Sequence, residues 1–444
     1  VFFDSNNKAI FDPELARTVA DLVETEGTNF WFEHNDAEIA AKLGLPEGVK
    51  KCRDTLDVWI DSGCSHVAVL DRHPELHSPA DLYLEATDQH RGWFQSSLML
   101  SVGYRDKAPY KTVMTHGFVV DKDKKKLSKS EAEKAGKPID AAHYYNKYGA
   151  DIVRLWVSSV DWQNEVPFGE ELFKQVTEPY RRIRNTLRIL LGNLDGFQPE
   201  TAPAAPAYTL LDRWILERLH EIVSECRKGY ETYEFRKVFN SLNNFCTHDL
   251  SATYIDALKD RMYCDAKNSP RRIASQCAMF AIFQALSKLL APILVYTADE
   301  AWEHAPFTTG SVHEQDFPEA DPTFAPGEAL KTADRLFEIK YAIQTAIEGC
   351  VQAKEFNRNN EADVTLTVPE SDASLLPLLN DRDFATEFFI IAGLKAEPGS
   401  VLHATARKTE HCLCPRCRRH EPVVASGLCQ RCDEVISQQP SVIG

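Results

Sequence analysis

Two Cys-x-x-Cys pairs near the end of the chain are the residues whose types and spacing most directly predict chemistry. Cys414 and Cys417 form the first pair, and Cys429 and Cys432 form the second after eleven intervening residues. Two such turns can present four thiolates as a tetrahedron, the arrangement of a closed structural zinc site. Redox chemistry needs only one pair, so the duplication predicts one bound zinc ion.

Basic residues surround this cluster. From Arg407 to Cys432 the sequence holds six Lys and Arg residues but only two Glu. A basic zinc ribbon of this kind favours contact with RNA phosphates; the alternative is a fold held by the metal with no partner at all. Cys412 and His420 are near enough in the sequence to compete for a ligand position.

Three further regions carry the remaining signal of the sequence. They are Asp57–Gly63, Leu84–Phe94, and Thr115–Phe118 followed by Lys126–Ser130. Each has an ordinary explanation when taken singly, since tryptophans such as Trp59 and Trp93 usually belong to a core and a Lys-rich segment is usually a solvated turn. Their order along the strands and loops of one α/β sheet favours a shared site.

The elements that must position these residues can be read from periodicity. We predict a strand at Asp81–Leu84, a helix at Gln89–Gly103, a second strand at Thr112–Val120 and a charged loop at Asp121–Lys126. A strand, a helix, a strand and a polar loop in this order indicate a parallel α/β sheet. Ligands bind such sheets at the carboxyl ends of the strands.

The remainder of the chain is mainly helical. An apolar stripe from Leu172 to Leu194 predicts a long helix, and residues 210–302 have helical patterns throughout. Ala274–Ala298 is interrupted by polar residues and a proline, so we predict a buried bundle helix and not a membrane span. A helix at Leu336–Lys354 and a strand at Asp363–Val368 then indicate a small α/β piece.

Composition narrows the class of protein. The 444 residues include 50 Lys and Arg against 66 Asp and Glu, a net charge of −16, so no global basic field indicates nucleic acid. Apolar residues at 43% and charged residues at 26% are ordinary for globular proteins of several domains. Twelve cysteines without a visible signal peptide do not suit a secreted disulfide framework. We therefore expect a cytoplasmic protein with no membrane partner.

The regions around Trp59, Trp93 and His116 together resemble the second half of the catalytic domain of class I aminoacyl-tRNA synthetases, and within that class the isoleucyl family. The helical block is similar to the anticodon-binding bundle of this class, and the paired Cys-x-x-Cys end is similar to the zinc ribbon of many bacterial members. The resemblance implies a multidomain α/β plus all-α protein: a Rossmann-type half domain, a helical bundle, a small α/β junction and a zinc ribbon.

The resemblance also implies a domain organisation. A segment at 1–56 re-enters the catalytic domain after a missing editing insertion, and 57–165 is the second half of that domain with the Lys126–Ser130 loop. A stem-contact helix and linker at 166–205 precede the helical anticodon-binding domain at 206–325. The α/β junction occupies 326–405, and the zinc ribbon occupies 406–444.

The implied activity is ATP-dependent activation of isoleucine, with Mg²⁺ on the ATP, followed by transfer of the isoleucyl group to tRNA(Ile). Negative charge that builds on phosphate oxygens requires fixed cations. By resemblance, Lys126 and Lys129 supply that charge, and Lys129 also binds ATP. The other implied site residues are Glu85, Asp88 and Gln89 for the adenylate and ammonium group, His116 and Gly117 for the adenine, and Trp59 and Trp93 as walls of the isoleucine pocket.

The sequence departs from the family pattern in two respects. Ala86 replaces a glycine, which is costly if the backbone there has positive φ. No His-x-Gly-His string occurs, and the editing insertion is absent. We therefore expect the C-terminal part of a synthetase that is a monomer when complete and that is inactive without its N-terminal half. The alternatives are a non-catalytic tRNA- or RNA-binding paralogue, or a valyl or leucyl specificity.

Several basic residues are open to two interpretations, as RNA contacts or as solvated helix surface. The first group, on the predicted helix around Leu187, is Arg181, Arg182, Arg184 and Arg188. The second group, considered as anticodon readers, is Lys259, Arg261, Arg271 and Arg272.

Overall fold

A computed structural model describes residues 1–121 and 140–438 of the chain. The chain divides into two compact units, Val1–Gly117 and Phe118–Gly444. Lys126 and Lys129, with the rest of the predicted Lys126–Ser130 loop, lie outside the described residues.

The first unit begins with a small antiparallel sheet in the order β2–β1–β3. Its strands are β1 (Phe2–Phe3), β2 (Ala9–Ile10) and β3 (Lys50–Lys51), and its helices are α1 (Pro13–Glu26), α2 (Phe30–Glu33) and α3 (Asp36–Lys42). Helix α1 begins after Asp12, whose side chain accepts a hydrogen bond from the Glu14 amide. Helix α3 begins with a capping box between Asn35 and Glu38. Phe2 and Phe30 are in the small core that joins these elements.

The second part of this unit is a parallel strand pair. Its elements are α4 (Trp59–Gly63), a π-helical turn (His66–Leu70), β4 (Ala80–Ala86), a 3₁₀ turn (Thr87–Arg91), α5 (Trp93–Arg105) and β5 (Tyr110–His116). β4 and β5 pair in parallel, with Ala86 opposite His116, and α5 connects them. The predicted order of strand, helix and parallel strand is confirmed.

Two predicted boundaries were wrong. The helix expected from Gln89 begins at Trp93, because the preceding residues form the 3₁₀ turn. The strand expected to continue to Val120 ends at His116. Val119–Val120 is instead a separate short strand of the second unit, where it pairs with Val166–Pro167, a partner that sequence periodicity cannot indicate.

The second unit is built on a bundle of helices. After β6 (Val119–Val120), its elements are α6 (Ala141–Tyr148), α7 (Ala150–Ser159), β7 (Val166–Pro167), α8 (Glu170–Asn193), α9 (Leu210–Glu231), α10 (Phe235–Asn244), a π-helical stretch (Phe245–Ile255), α11 (Asp256–Cys264), α12 (Pro270–Leu290) and α13 (Val295–Glu303). Their apolar stripes form one continuous core, which includes Leu187, Ile215 and Phe283. Helix α12 is long and apolar enough to cross a membrane, yet 72% of its most apolar window is buried in the bundle. The predicted buried bundle helix is confirmed.

An α/β module (residues 328–408) and a cysteine-rich segment (residues 409–437) follow the bundle. The module comprises α14 (Glu328–Gln352), β8 (Ala362–Pro369), α15 (Leu376–Leu379), α16 (Arg382–Phe389), β9 (Gly393–Gly399) and β10 (His403–Lys408). Strand β8 lies between β9, which is parallel to it, and β10, which is antiparallel. Alternate residues of β8, among them Val364 and Leu366, are buried. The cysteine-rich segment ends in α17 (Gln430–Ser437).

Candidate active site and metal centre

The carboxyl ends of β4 and β5 bring several predicted site residues to one edge. In the parallel register, Glu85 is opposite Thr115 and Ala86 is opposite His116. His116 Nδ1 lies 2.8 Å from the Gly117 carbonyl oxygen. Because a carbonyl can only accept, Nδ1 carries the hydrogen, and the Nε2 of the neutral ring is left as an acceptor. The edge thus presents a carboxylate and an oriented imidazole.

The 3₁₀ turn that follows β4 positions the next two predicted residues. Gln89 Oε1 accepts a hydrogen bond from the Trp93 amide at 3.0 Å and so satisfies a free donor at the start of α5. Glu85 and Asp88 are exposed, and neither makes an ion pair with any described residue. Two exposed carboxylates without a protein cation are suited to a cationic ligand group.

The two predicted pocket tryptophans are held differently. The Trp93 ring stacks on Tyr83, with ring centroids 4.2 Å apart and an interplanar angle of 9°, and its Nε1 donates to Ser65 Oγ at 3.0 Å. The ring of Trp93 is therefore held in place by Tyr83 and Ser65, although its side chain is only half-buried. Trp59 is 40% exposed, and its ring lies beside Gly92.

Gly92 is a position of close approach, next to the predicted site residues, that sequence reasoning missed. A methyl group there would lie 2.7 Å from Gln89 Oε1 and 2.9 Å from Trp59 Cη2. The φ of this residue is −128°, so the requirement is close approach and not an unusual backbone. Its position between the polar turn and Trp93 was the available signal.

The concern about Ala86 is resolved by its backbone. Ala86 has φ −71° and ψ 165°, an extended conformation that any residue adopts. Its side chain is buried, and the expected penalty of a Cβ at positive φ does not arise.

The four predicted metal ligands converge at a single point. The Sγ atoms of Cys414, Cys417, Cys429 and Cys432 all lie within 4.8 Å of one another, and all four residues are buried. Cys417 Sγ and Cys429 Sγ are 3.8 Å apart, which is about the edge of a tetrahedron with zinc–sulfur bonds of ~2.3 Å. The donor set therefore fits a thiophilic tetrahedral cation. The two spare candidates, Cys412 and His420, are not in this cluster.

Backbone amides prepare one of these thiols for binding. Burial by itself would raise the pKa of Cys414, but amide hydrogen bonds from Cys429, Cys417 and Arg416 outweigh it and lower the pKa to about 6. A thiol of this kind is largely deprotonated at neutral pH, which is the form that binds metal.

Arginines of the cysteine-rich segment face the protein, which corrects part of the expected RNA contact. Arg416 donates to the Cys264 carbonyl oxygen at 2.7 Å and to Cys432 Sγ at 3.3 Å. Arg431 forms a two-pronged pair with Asp260, both distances being 2.6 Å, and Arg419 lies 2.8 Å from the same carboxylate. Acidic residues of the bundle therefore neutralise charges that the sequence alone assigned to RNA.

The expected anticodon readers are also engaged within the protein. Arg261 is 3% exposed and lies 2.7 Å from Glu387 and 3.4 Å from Asp212. Arg271 pairs with the Asp265 carboxylate at 2.6 Å. Two further basic residues also have partners: Arg272 donates to the Asp265 carbonyl, and Lys259 pairs with Asp256. Arg261 and Arg271 have structural roles, because both form ion pairs with buried carboxylates.

The arginines of α8 are on its exposed surface. Arg182 pairs with Glu178 one turn away, and Arg184 pairs with Glu300 of α13. Two others, Arg181 and Arg188, are exposed and make no ion pair within the described ranges. The interpretation as solvated helix surface fits Arg182 and Arg184.

Two family models match consecutive parts of the chain. Residues 1–168 match the model described as tRNA synthetases class I (I, L, M and V), and residues 212–366 match the anticodon-binding domain of tRNA ligase. The chain therefore contains a match to a class I tRNA synthetase domain followed by a match to an anticodon-binding domain. The predicted multidomain α/β and all-α fold is confirmed, with its catalytic and anticodon-binding domains in the expected order.

Curated relatives of this chain extend the match over nearly its whole length. An isoleucine–tRNA ligase of Methylacidiphilum infernorum is 41% identical over 99% of the chain and 48% of the relative. One of Symbiobacterium thermophilum is 38% identical over 96% of the chain and 48% of the relative. The chain thus spans about half the length of the curated relatives it matches.

A solved structure supports the fold independently. The crystal structure of the ternary complex of Agrobacterium radiobacter K84 agnB2 LeuRS with tRNA and LeuAMS matches with a TM-score of 0.50 at 16% identity. The match covers 82% of this chain and 43% of that one.

Proposed function

We propose that the chain is the C-terminal part of an isoleucine–tRNA ligase, which activates isoleucine with ATP and transfers the isoleucyl group to tRNA(Ile). The observation that carries this proposal is the 41% identity to an isoleucine–tRNA ligase over 99% of the chain. The chemistry at the carboxyl edge of β4 and β5 agrees with it. Neither the non-catalytic alternative nor a valyl or leucyl specificity has a comparable observation in its favour.

The amino acid and the adenylate are held, in this proposal, at the ends of β4 and β5. The exposed carboxylates of Glu85 and Asp88, which pair with no described cation, attract the ammonium group because a carboxylate is its natural partner. Gln89, whose carbonyl is already directed by the Trp93 amide, contacts the adenylate. His116 and Gly117 meet the adenine.

Trp59 and Trp93 provide the apolar walls for the isoleucine side chain. The stacked Trp93 ring is fixed by Tyr83 and Ser65, so one wall is in place before the substrate arrives. An apolar pocket gains only ~1–3 kcal/mol from one methylene group, so this pocket separates isoleucine from valine incompletely.

Cations carry the phosphate chemistry. Attack of the isoleucine carboxylate on the α-phosphorus of ATP releases pyrophosphate and builds negative charge on phosphate oxygens. Lys126 and Lys129 stabilise this charge together with Mg²⁺ that enters with ATP. Loss of one such contact removes ~3 kcal/mol of stabilisation, or roughly a hundredfold in rate.

The four clustered cysteines hold a structural zinc ion. Their spacing leaves no open coordination position, so the metal stabilises the cysteine-rich segment and takes no part in the reaction. The arginines around the cluster connect that segment to the bundle, which we propose binds tRNA(Ile).

The remaining partner is the N-terminal half of the synthetase. Among the residues that the structure describes, β4 and β5 form a sheet of two strands, and Leu84 of β4 and Met99 of the connecting helix α5 are 47% and 66% exposed. Sheet edges and apolar side chains of this kind are normally covered by further strands and helices. We propose that the complete enzyme is a cytoplasmic monomer and that this chain is inactive alone.

The test is isoleucine-dependent ATP–pyrophosphate exchange, measured on the chain alone and after mixing with a polypeptide that covers the other half of the relatives. We expect activity only in the mixture. Lys129→Ala should lower it roughly a hundredfold, whereas Lys331→Ala, which removes an exposed lysine of α14, should not change it. Exchange supported by valine or leucine in preference to isoleucine overturns the specificity. No exchange in the mixture, with tRNA binding retained, favours the non-catalytic alternative.

A further inference from the structure

We propose that Tyr83 and Ser65 determine how sharply the amino-acid pocket separates isoleucine from valine, because they fix the position of Trp93. This inference rests on the proposed function, in which Trp59 and Trp93 are walls of that pocket. Tyr83 and Ser65 touch no substrate group in this proposal; they are positioning residues that act through the Trp93 ring. All four residues belong to the first unit.

Tyr83 supports the flat face of the Trp93 indole. The two ring centroids are 4.2 Å apart and the interplanar angle is 9°, so the rings are stacked. Tyr83 is 3% exposed, and its ring also lies near Phe94 and Tyr110, with centroids 6.2 Å and 4.8 Å away. A ring packed on several sides cannot yield when a ligand presses on its neighbour. A substrate side chain can therefore stack only on the indole face that points away from Tyr83.

The ring of Tyr83, and not its hydroxyl group, supplies this support. Tyr83 Oη is buried and makes no hydrogen bond with any residue that the structure describes. A buried hydroxyl without a partner destabilises a fold, so Tyr83→Phe keeps the stack and removes an unfavourable group. Tyr83→Leu, in contrast, removes the aromatic face. The two variants together separate the stack from the rest of the side chain.

Ser65 holds the edge of the same indole. Trp93 Nε1 donates to Ser65 Oγ at 3.0 Å, and the Trp93 amide donates to Gln89 Oε1 at 3.0 Å. The first hydrogen bond fixes the orientation of the ring within its plane, and the second fixes the backbone from which the ring extends. With the Tyr83 stack, the indole is thus held at its face, at its edge and at its main chain.

Ser65 also connects the two walls of the proposed pocket. Trp59 is the first residue of α4, Trp93 is the first residue of α5, and Ser65 lies two residues beyond the end of α4. The two helices approach closely, since a methyl group on Gly63 would lie 3.0 Å from the carbonyl carbon of Ser96. The hydrogen bond from Trp93 to Ser65 therefore ties the second wall to the helix that carries the first.

The distance between the walls matters because isoleucine and valine differ by one methylene group. An apolar pocket separates such a pair by roughly 10–200-fold at most. A gap of about 0.5–1 Å already removes about a quarter to a half of a van der Waals contact. A loosened Trp93 still admits both amino acids but contacts the extra methylene less well. Loss of its support should therefore change the preference for isoleucine more than the rate of the reaction.

The test is ATP–pyrophosphate exchange by the chain mixed with the N-terminal half, with kcat/KM measured for isoleucine and for valine. We expect Tyr83→Leu to lower the isoleucine-to-valine ratio about tenfold, mainly through a higher KM for isoleucine, while the KM for ATP stays within about twofold. Tyr83→Phe should keep the ratio of the unmodified enzyme, because the ring face remains.

The matched control is Tyr110→Leu, which removes a ring of the same cluster. Tyr110 lies beside Tyr83, and among the described residues it has no ring contact with Trp93. This variant should keep the isoleucine-to-valine ratio within about twofold, since the Trp93 stack and hydrogen bond remain. Ser65→Ala keeps the stack but removes the hydrogen bond, and it should lower the ratio about threefold.

The outcomes separate this inference from the proposed function. No isoleucine-dependent exchange by the unmodified mixture overturns the proposed function, and this inference with it. An unchanged ratio in Tyr83→Leu overturns the inference alone. Equal losses with isoleucine and valine, together with a higher KM for ATP, show a purely structural role and also overturn it. If Tyr83→Leu does not fold, Ser65→Ala decides, and an unchanged ratio in that variant overturns the inference.

Discussion

The two units of the molecule contain charged residues that differ in burial and in ion pairing. In Phe118–Gly444, Arg261 is 3% exposed and is enclosed by Asp212 and Glu387. In Val1–Gly117, Glu85 and Asp88 are exposed and have no ion-pair partner among the described residues. A buried charge must be paired to be tolerated, and an exposed one remains available to a ligand. Arg261 of the second unit therefore stabilises the fold, whereas Glu85 and Asp88 of the first unit are accessible to a ligand.

The apolar residues show the same contrast. Of the large apolar side chains exposed in the described ranges, 13 belong to Val1–Gly117 and 11 to the much longer second unit. The first unit also divides its buried residues between a small N-terminal core and the β4–β5 pair, whereas one core runs through the bundle and the α/β module. In the described ranges the first unit therefore exposes more large apolar side chains for its length than the second, which agrees with the proposed N-terminal partner.

Metal removal should have the largest effect on this contrast, because the four clustered cysteines of the second unit would lose the ion that we propose they hold. Structural zinc contributes about 10–16 kcal/mol to the folding of zinc-finger peptides. We expect one zinc ion per chain by mass spectrometry, and rapid proteolysis of the segment around Cys417 after chelation. Cys417→Ser should lose the metal. Cys412→Ser, which alters an exposed thiol, should retain it; full occupancy in both variants contradicts the four-cysteine site.

Loss of a buried charge partner should come next. Arg261→Met leaves Glu387 and Asp212 buried without this guanidinium, and removal of one partner of a buried pair typically costs about 3–5 kcal/mol. Urea denaturation measures the change in the free energy of unfolding. Arg182→Met, which removes an exposed pair on α8, should change it by less than about 1 kcal/mol. Similar values for the two variants contradict the structural role of Arg261.

A change in the first unit should affect activity more than stability. Gly92→Ala places a methyl group 2.7 Å from Gln89 Oε1 and 2.9 Å from Trp59 Cη2, and both are ends of side chains that can move. Displacement of positioning groups by about 1 Å can cost ~100-fold in rate, and pyrophosphate exchange by the reconstituted enzyme measures the loss. Gly103→Ala in α5 meets nothing within 4 Å and should leave exchange unchanged; equal activity in the two variants rejects this role for Gly92.

Thiol reactivity should show the smallest effect, but it reports the burial of individual cysteines directly. Burial raises the pKa of Cys226 to about 12 and that of Cys246 to about 12. At pH 8 roughly one in ten thousand of such thiols is ionised, so iodoacetamide should leave both unmodified. Cys412 is exposed, and Cys52 of the first unit is partly exposed; both should react. Peptide mapping checks the pattern, and modification of Cys226 in the folded chain would contradict the continuous core.

Much of the architecture was predictable because it depends on local spacing. The Cys-x-x-Cys turns at Cys414 and Cys429 predict a cluster, since each turn fixes two thiols within a few residues. The apolar pattern of Ala274–Ala298 predicts a buried helix, and the alternation in Asp363–Val368 predicts a strand. The structure has a buried helix at Pro270–Leu290 and a strand with one buried face at Ala362–Pro369. Glu85 and His116 were expected at one edge because the carboxyl ends of parallel strands meet there.

The tertiary structure decided what each charge does. Arg261 and Glu387 are 126 residues apart in sequence, and Arg431 and Asp260 are 171 apart. A buried arginine and an exposed one look alike in a sequence, because periodicity reports which side of a helix is apolar but not which distant carboxylate will face it. The sequence alone therefore determined most of the elements and the four thiols, whereas long-range packing determined that Arg261 and Arg431 pair with Glu387 and Asp260 and so stabilise the fold.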